Sequence, residues 1–488
     1  MKNILTSIAA STLLAALATA QPSHPSYRVS DLGPVGSPFS QATSLNNHGL
    51  IGGVAVIPDG TQHAVLWSGG RILDIGAPGL GGPNAAAIGV NEKGQVLVQA
   101  ETLANDPHHE NFCGFGTGFQ CVAAIWQDGV LTQLQTLGGT NAGTGTINNR
   151  GEVAGWSEKD DTPDPDCRPG VAVNGTGPQI FDYKPVIWGP KLGQIRELRP
   201  LLGDSVGMAL GINDSGQAVG TSGLCSNTVL PGFVAGPHAV LWDTDGSVHD
   251  LGSFGGTSNP DVLAVGNVAF SINNQGQVVG TSALPGNTTH HPFLWTKQTG
   301  MHDLGLLDGD VVGAGLAINN KGEVVGASIS SPGAAGGNPR AALWRNGEKI
   351  DLYTVVQADS PFVALLTAFA INDDGQIVGF GVTRSGDVHG FLAVPVQTIA
   401  VAGPKDTTAT LRSIQLDGTG SSSEDGSPLS YFWSIPQGSP SAAIIGGNTA
   451  TPTVQFSLTR GTYTFQLTIT DSTGKTSTDF ATVSFRGN

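Results

Sequence analysis

Along most of this chain the apolar residues fall in short runs, closed at each end by Asn, Asp, Gly or Ser, with apolar and polar positions often alternating inside the run. An alternation of period two in segments rich in Val and Ile predicts β-strands with one buried face. The 71 Gly and 29 Pro residues suit many strands joined by turns better than long helices.

One pattern recurs seven times. It reads SLNNHGLIGG (44–53), GVNEKGQVLV (89–98), TINNRGEVAG (146–155), GINDSGQAVG (211–220), SINNQGQVVG (271–280), AINNKGEVVG (317–326) and AINDDGQIVG (370–379). The first Asn residues, Asn46, Asn91, Asn148, Asn213, Asn273, Asn319 and Asn372, are separated by 45, 57, 65, 60, 46 and 53 positions. That period matches propeller blades stretched by insertions. Each copy predicts a hairpin in which an apolar strand enters Asn, the turn closes at Gly, and a Val-rich strand leaves, because Asn and Gly tolerate positive φ. A third strand follows and ends at Trp67, Trp126, Trp188, Trp242, Trp295 or Trp344, and a fourth reads RILDIG, VLTQLQ, QIRELR, SVHDLG, MHDLG or KIDL.

The seventh copy has a third strand from His389 but no fourth, whereas YRVSDLG at Tyr27–Gly33 is a fourth strand with no repeat before it. Joining the two closes a ring and removes unpaired sheet edges. The expected fold over residues 27–396 is therefore a seven-bladed β-propeller closed by an N-terminal strand. An open β-solenoid is the alternative, and it would not require a split repeat.

The segments SINNQGQVVGTS, HAVLW and SVHDLGSFGG resemble the HAF-type extracellular repeats of bacteria. The resemblance covers about residues 27–396. The second and third copies lack the Asp-Leu-Gly ending, and only Gln62-His63-Ala64 and Pro237-His238-Ala239 keep the His-Ala start. It implies a fold and carries no assigned chemistry.

Beyond Val401 the repeat stops. Alternation at Tyr463, Phe465, Leu467 and Ile469 predicts a β-sandwich over 401–488. This segment is similar to immunoglobulin-like domains of the polycystic-kidney-disease (PKD) type, through the turn Glu424–Gly426, Tyr431-Phe432-Trp433 and Gly461-Thr462-Tyr463. The family's Gly-Asp-Gly turn is replaced here by Ile435-Pro436-Gln437-Gly438. Trp433 lies within a strand and reads as core.

Residues 1–20 have the layout of a secretory signal: Lys2, an apolar run from Ile4 to Leu17, then Ala18-Thr19-Ala20. The expected location is secreted or on the cell surface, with no membrane span, and a monomer is the expected state. A formal charge of −16 disfavours nucleic acid and anionic membranes as partners. Four cysteines in an exported chain predict two disulfides: Cys113 with Cys121 closing one insertion, and Cys167 with Cys225 joining equivalent insertions of neighbouring copies.

Candidate chemistry is sparse. The insertion holding His108, His109 and Glu110 could ligate a metal or act as acid and base, but adjacent residues on an extended loop point apart and no HExxH is present. The one cofactor that the residues suggest is calcium, on the acidic insertion Asp160, Asp161, Asp164 and Asp166, because calcium takes six to eight oxygen ligands; an acidic loop is more often merely solvated. The hairpin Asn and Asp residues, such as Asp373 and Asp374, read as turn geometry. His63, His238, His291 and His389 read as structural, each hydrogen-bonded to a neighbouring blade, and the Trp series reads as packing between blades. No catalytic nucleophile is apparent, with neither a GxSxG elbow nor a P-loop.

The expected function is therefore binding or adhesion, with an extracellular glycan or protein as partner. Long insertions between second and third strands place the expected site on the rim they share. The alternatives are an extracellular polysaccharide hydrolase or lyase and a structural envelope component.

Overall fold

A computed structural model describes residues 26–487 except 77–79, 168–178, 231–232, 235, 258–265, 331–338, 358, 397, 406, 424–425, 458 and 473. The side chains of residues 161–162, 227–230 and 233–234 also lie outside the description, as do the expected signal at 1–20 and Glu424. The protein is all-β and forms two compact units, Tyr27–Pro395 and a second from Val396 onward.

Among the described residues the first unit contains seven four-stranded antiparallel sheets. The first sheet is Ser40–Leu45, Ile51–Val56, Gln62–Ser68 and Arg71–Asp74, and each later repeat lays down its four strands in the same order. The seventh sheet differs in one respect. Its fourth strand is Tyr27–Asp31, paired antiparallel to Val388–Pro395 with Val29 opposite Ala393 and Ser30 opposite Leu392.

Each sheet is an open ladder, and its apolar side chains are buried against the sheets on either side. Ala64, Leu66, Ala85, Val96 and Val98 fill the seam between the first and second sheets. Val325, Leu343, Phe362, Leu365 and Phe391 fill that between the sixth and seventh. Ala42, Ile51, Trp67 and Val378 fill the seam between the seventh and the first. The Trp at the end of the third strand spans such seams. The indole N–H of Trp67 donates to the Leu32 carbonyl (2.9 Å), Trp188 to Gln135 (2.6 Å), Trp242 to Arg199 (2.7 Å) and Trp344 to Gly305 (2.9 Å).

Local geometry explains the recurring glycines. The hairpin glycine, Gly49 for instance, sits at φ +78°, where an L side chain is strained. The glycine of the leaving strand answers to space instead: a Cβ on Gly220 would lie 1.8 Å from the Met208 carbonyl oxygen, and on Gly280 1.9 Å from that of Val268. Both stand where a bulge shifts the register between the first two strands.

Among the described residues the second unit carries, besides the short pair Thr398–Ile399 and Ser422–Ser423, two larger sheets, one of Thr407–Ala409, Thr476–Phe485, Gly461–Thr470 and Ser430–Ser434, the other of Ser413–Gln415, Thr453–Phe456 and Ala442–Ile445. Tyr463, Phe465, Leu467 and Ile469 are fully buried between them with Trp433, whose indole N–H donates to the Thr449 carbonyl (3.2 Å).

Candidate functional site: a polar pocket ringed by the hairpin asparagines

The hairpin Asn residues do more than turn the chain. None has positive φ; each works through its side chain. In Asn213 the Oδ1 accepts the N–H groups of Ser215 (3.1 Å) and Gln217 (3.0 Å), which holds the hairpin closed. Its Nδ2 donates to the Asn273 carbonyl of the next sheet at 3.1 Å. The relation repeats from Asn46 to Asn91, Asn91 to Asn148, Asn148 to Asn213, Asn273 to Asn319 and Asn319 to Asn372, each at 3.0 Å, and returns from Asn372 to Asn46 at 3.2 Å. The seven bonds form a closed circle of buried donors and acceptors.

A second circle lies one residue further on. The backbone N–H of Asn47 donates to Glu92 (2.9 Å), Glu92 to Asn149 (3.0 Å), Asn149 to Asp214 (2.8 Å), Asp214 to Asn274 (2.9 Å), Asn274 to Asn320 (2.9 Å), Asn320 to Asp373 (2.9 Å), and Asp373 to Asn47 (2.9 Å), the acceptor each time being a side-chain oxygen. Every copy thus carries Asn, Asp or Glu at this position because the neighbouring hairpin needs an acceptor there. That regularity was the sequence signal for the circle, and reading these residues only as turn formers missed it.

These two circles line a pocket of ≈ 180 Å³ floored by Leu45, Val90, Ile147, Ile212, Ile272, Ile318 and Ile371. Three carboxylates, Glu92, Asp214 and Asp373, face it alongside the carboxamides of both circles. Asp214 Oδ2 accepts from Asn149 (3.0 Å) and Asn274 (2.9 Å), and Asp373 Oδ2 from Asn320 (3.0 Å); Glu92 pairs with His48 at 2.9 Å. Such a lining offers acceptors to hydroxyl or ammonium groups and repels anions. The pocket opens at the hairpin end of the sheets, away from the rim of long insertions where the site was expected.

The insertions hold a different arrangement. Asp106, Glu110 and Glu158 are all buried, the last two completely. Asn141 Nδ2 donates to Asp106 (2.8 Å) and Glu110 (3.4 Å), the Asn141 N–H donates to Glu158 (2.8 Å), and the Ile180 N–H donates to Glu110 (2.6 Å). Burial first, and then the charge of Glu158, pushes the Glu110 carboxyl up to about 10, so it is protonated at neutral pH. Sealed from solvent, the group fastens one insertion to the next. Of its neighbours, His108 packs edge-on to Phe181 at 4.8 Å between ring centres, while His109 is exposed.

The disulfides Cys113–Cys121 and Cys167–Cys225 are present, and no cysteine among the described residues is free. Within the acidic insertion, Asp164 Oδ1 accepts the Asp166 N–H (2.8 Å), Asp160 and Asp166 are exposed, and the Asp161 side chain lies outside the description. Asp164 does come within 4.8 Å of Cys167 and Cys225, but those sulfurs are consumed by their own bond.

The recurrent histidines depart from expectation. His63 pairs with Asp74 (2.8 Å), His238 with Asp250 (3.1 Å), His291 with Asp303 (2.8 Å) and His389 with Asp31 (2.9 Å), in each case on the fourth strand of the histidine's own sheet. A third-strand residue faces the adjacent antiparallel strand at short range, so its nearest acceptor lies within the sheet.

Residues 402–484 match a family of PKD domains, so the chain carries a PKD domain there. No curated protein matches the chain. Among solved structures it is similar to the PKD domain of the KIAA 1837 protein, with 34% identity, 18% of this chain and 86% of that one covered, and a TM-score of 0.16. It is also similar to the extracellular domain of a hybrid two-component system from B. thetaiotaomicron (10% identity, 95% and 58% covered, TM-score 0.39). A lectin of Aleuria aurantia in complex with α-methyl-L-fucoside is a further likeness (12% identity, 59% and 78% covered, TM-score 0.29). At these TM-scores the whole-chain likenesses carry no functional argument. Among the described residues no helix is long and apolar enough to cross a membrane.

Proposed function

We propose that the protein is a secreted or cell-surface binding protein whose seven sheets are the blades of a β-propeller of HAF-type repeats closed by its N-terminal strand, with the PKD domain as a spacer. Its ligand is a hydroxyl-rich extracellular glycan, taken end-on at the axial pocket. One observation carries this reading: the closed double circle of carboxamides and carboxylates. Its acceptor groups are held in place before any ligand arrives, so hydroxyl donors meet oxygens that need no reordering. Two disulfides and a PKD domain support an extracellular setting.

The test is calorimetric titration of neutral oligosaccharides into the intact chain, with Asp214→Ala and Asp373→Ala as controls. Saturable binding that both substitutions abolish, with melting temperature retained, is the expected result. Binding to none of a broad glycan panel, or binding indifferent to both substitutions, removes the axial pocket from consideration.

A further inference from the structure

The tryptophans that end the third strands are not equivalent. Trp67, Trp188, Trp242 and Trp344 are 1–3% exposed and donate their indole N–H across a seam. Trp126 and Trp295 are only half-buried, and among the described residues neither makes that bond. At Trp126 the seam between the first and second sheets opens into a groove of ≈ 590 Å³. Its walls are Leu50, Leu66, Leu73 and the indole; Ser68 and Arg71 stand at its edge. Leu73 is 50% exposed although it faces this apolar surface.

Two features select a ligand. A partly exposed indole beside leucines is a flat apolar platform of the kind on which the C–H face of a pyranose packs. Arg71 is exposed and, among the described residues, has no carboxylate partner. In a chain with a formal charge of −16, an unpaired guanidinium beside an aromatic face marks a place for a carboxylate. We infer that this groove is a second glycan subsite, specific for an acidic sugar of the uronate class, with the ring on Trp126 and the carboxylate on Arg71. Charge separates it from the axial pocket, which excludes such a residue.

The inference goes beyond the axial reading and fails separately from it. The probe is an oligogalacturonate titrated into the full chain, with the matching neutral galacto-oligosaccharide as comparison and Trp fluorescence as a second readout. We expect the acidic probe to bind and quench, and the neutral one to bind the groove at least about tenfold more weakly, the loss that one charged hydrogen bond implies. Arg71→Gln should weaken the acidic probe by about the same factor, and Trp126→Ala should remove both binding and quenching. Arg71 is exposed, so its substitution leaves folding intact and decides the matter even where Trp126→Ala unfolds the seam. Three results overturn the proposal: no binding of the acidic probe, equal binding in Arg71→Gln, or binding lost only in Asp214→Ala and Asp373→Ala. The last would leave the axial site standing and the groove empty of function.

Discussion

The Asn372 carboxamide donates to the Asn46 carbonyl at 3.2 Å although 326 residues separate them, and the same bond joins every other neighbouring pair of repeats. Asn213→Ala should remove one link of the circle together with the two bonds by which Oδ1 braces its own hairpin and the one that Nδ2 donates to Gln217 Oε1 (2.9 Å). Left behind are two N–H groups and the Gln217 Oε1, while the Asn273 carbonyl keeps the Gly276 N–H (3.0 Å), so the expected loss is about 2–4 kcal/mol. Asn213→Asp keeps the acceptor for both N–H groups and loses the two bonds that Nδ2 donates, to the Asn273 carbonyl and to Gln217 Oε1; urea denaturation of the pair separates the accepted bonds from the donated ones.

His389 ties the seventh sheet to the N-terminal strand through Asp31, with the strand Tyr27–Asp31 as its fourth member. Removing residues 21–33 should expose the edge of Val388–Pro395 and bare the seam that Leu32 covers. Light scattering should report self-association of the truncated chain, and adding the missing segment back as a peptide should reverse it.

The Glu110 carboxyl, held near 10 by burial and by Glu158, gives the fold a pH dependence whose sign follows from its raised value. Unfolded, the group would titrate near 4.5. The folded state therefore binds the proton more tightly, its advantage is complete below about 4.5, and it declines as pH rises toward 10. Glu110→Gln keeps a neutral group of the same shape and should flatten that decline. Melting temperatures measured between pH 5 and pH 9 should converge at the acid end and favour the variant at the alkaline end.

The two disulfides close loops of unequal size, with separations of 8 and 58 residues. In the chain-entropy picture the shorter contributes about 2.6 kcal/mol and the longer about 4.2 kcal/mol. Replacing Cys167 and Cys225 together by Ser should therefore lower stability more than replacing Cys113 and Cys121, by about 1.6 kcal/mol on that picture. Guanidinium titrations of the two double variants measure the difference.

Gly280→Ala should be among the costlier single substitutions in a leaving strand, because the added methyl meets the Val268 carbonyl at 1.9 Å and neither backbone can retreat without breaking the ladder. Gly246→Ala, whose Cβ meets no atom within 4 Å, carries only the backbone strain of φ +86°. Thermal melts of both variants separate crowding from strain.

Much of this protein is local and was legible without coordinates. Strand periodicity, Asn and Gly at fixed offsets, and a terminal Trp specify hairpins, because each depends on groups a few residues apart. The PKD domain was readable for the same reason, from Tyr431, Trp433 and Tyr463 at strand spacing. What tertiary structure alone decided is where side chains point once repeats meet: that Asn213 reaches Asn273, that His389 finds Asp31 in its own sheet, that Asp106 and Glu158 converge on Asn141, and that Trp126 lines an open groove while Trp188 is fully buried. Those outcomes depend on distances between segments tens to hundreds of residues apart, set by how the sheets twist and pack, and no pattern along a single strand encodes them.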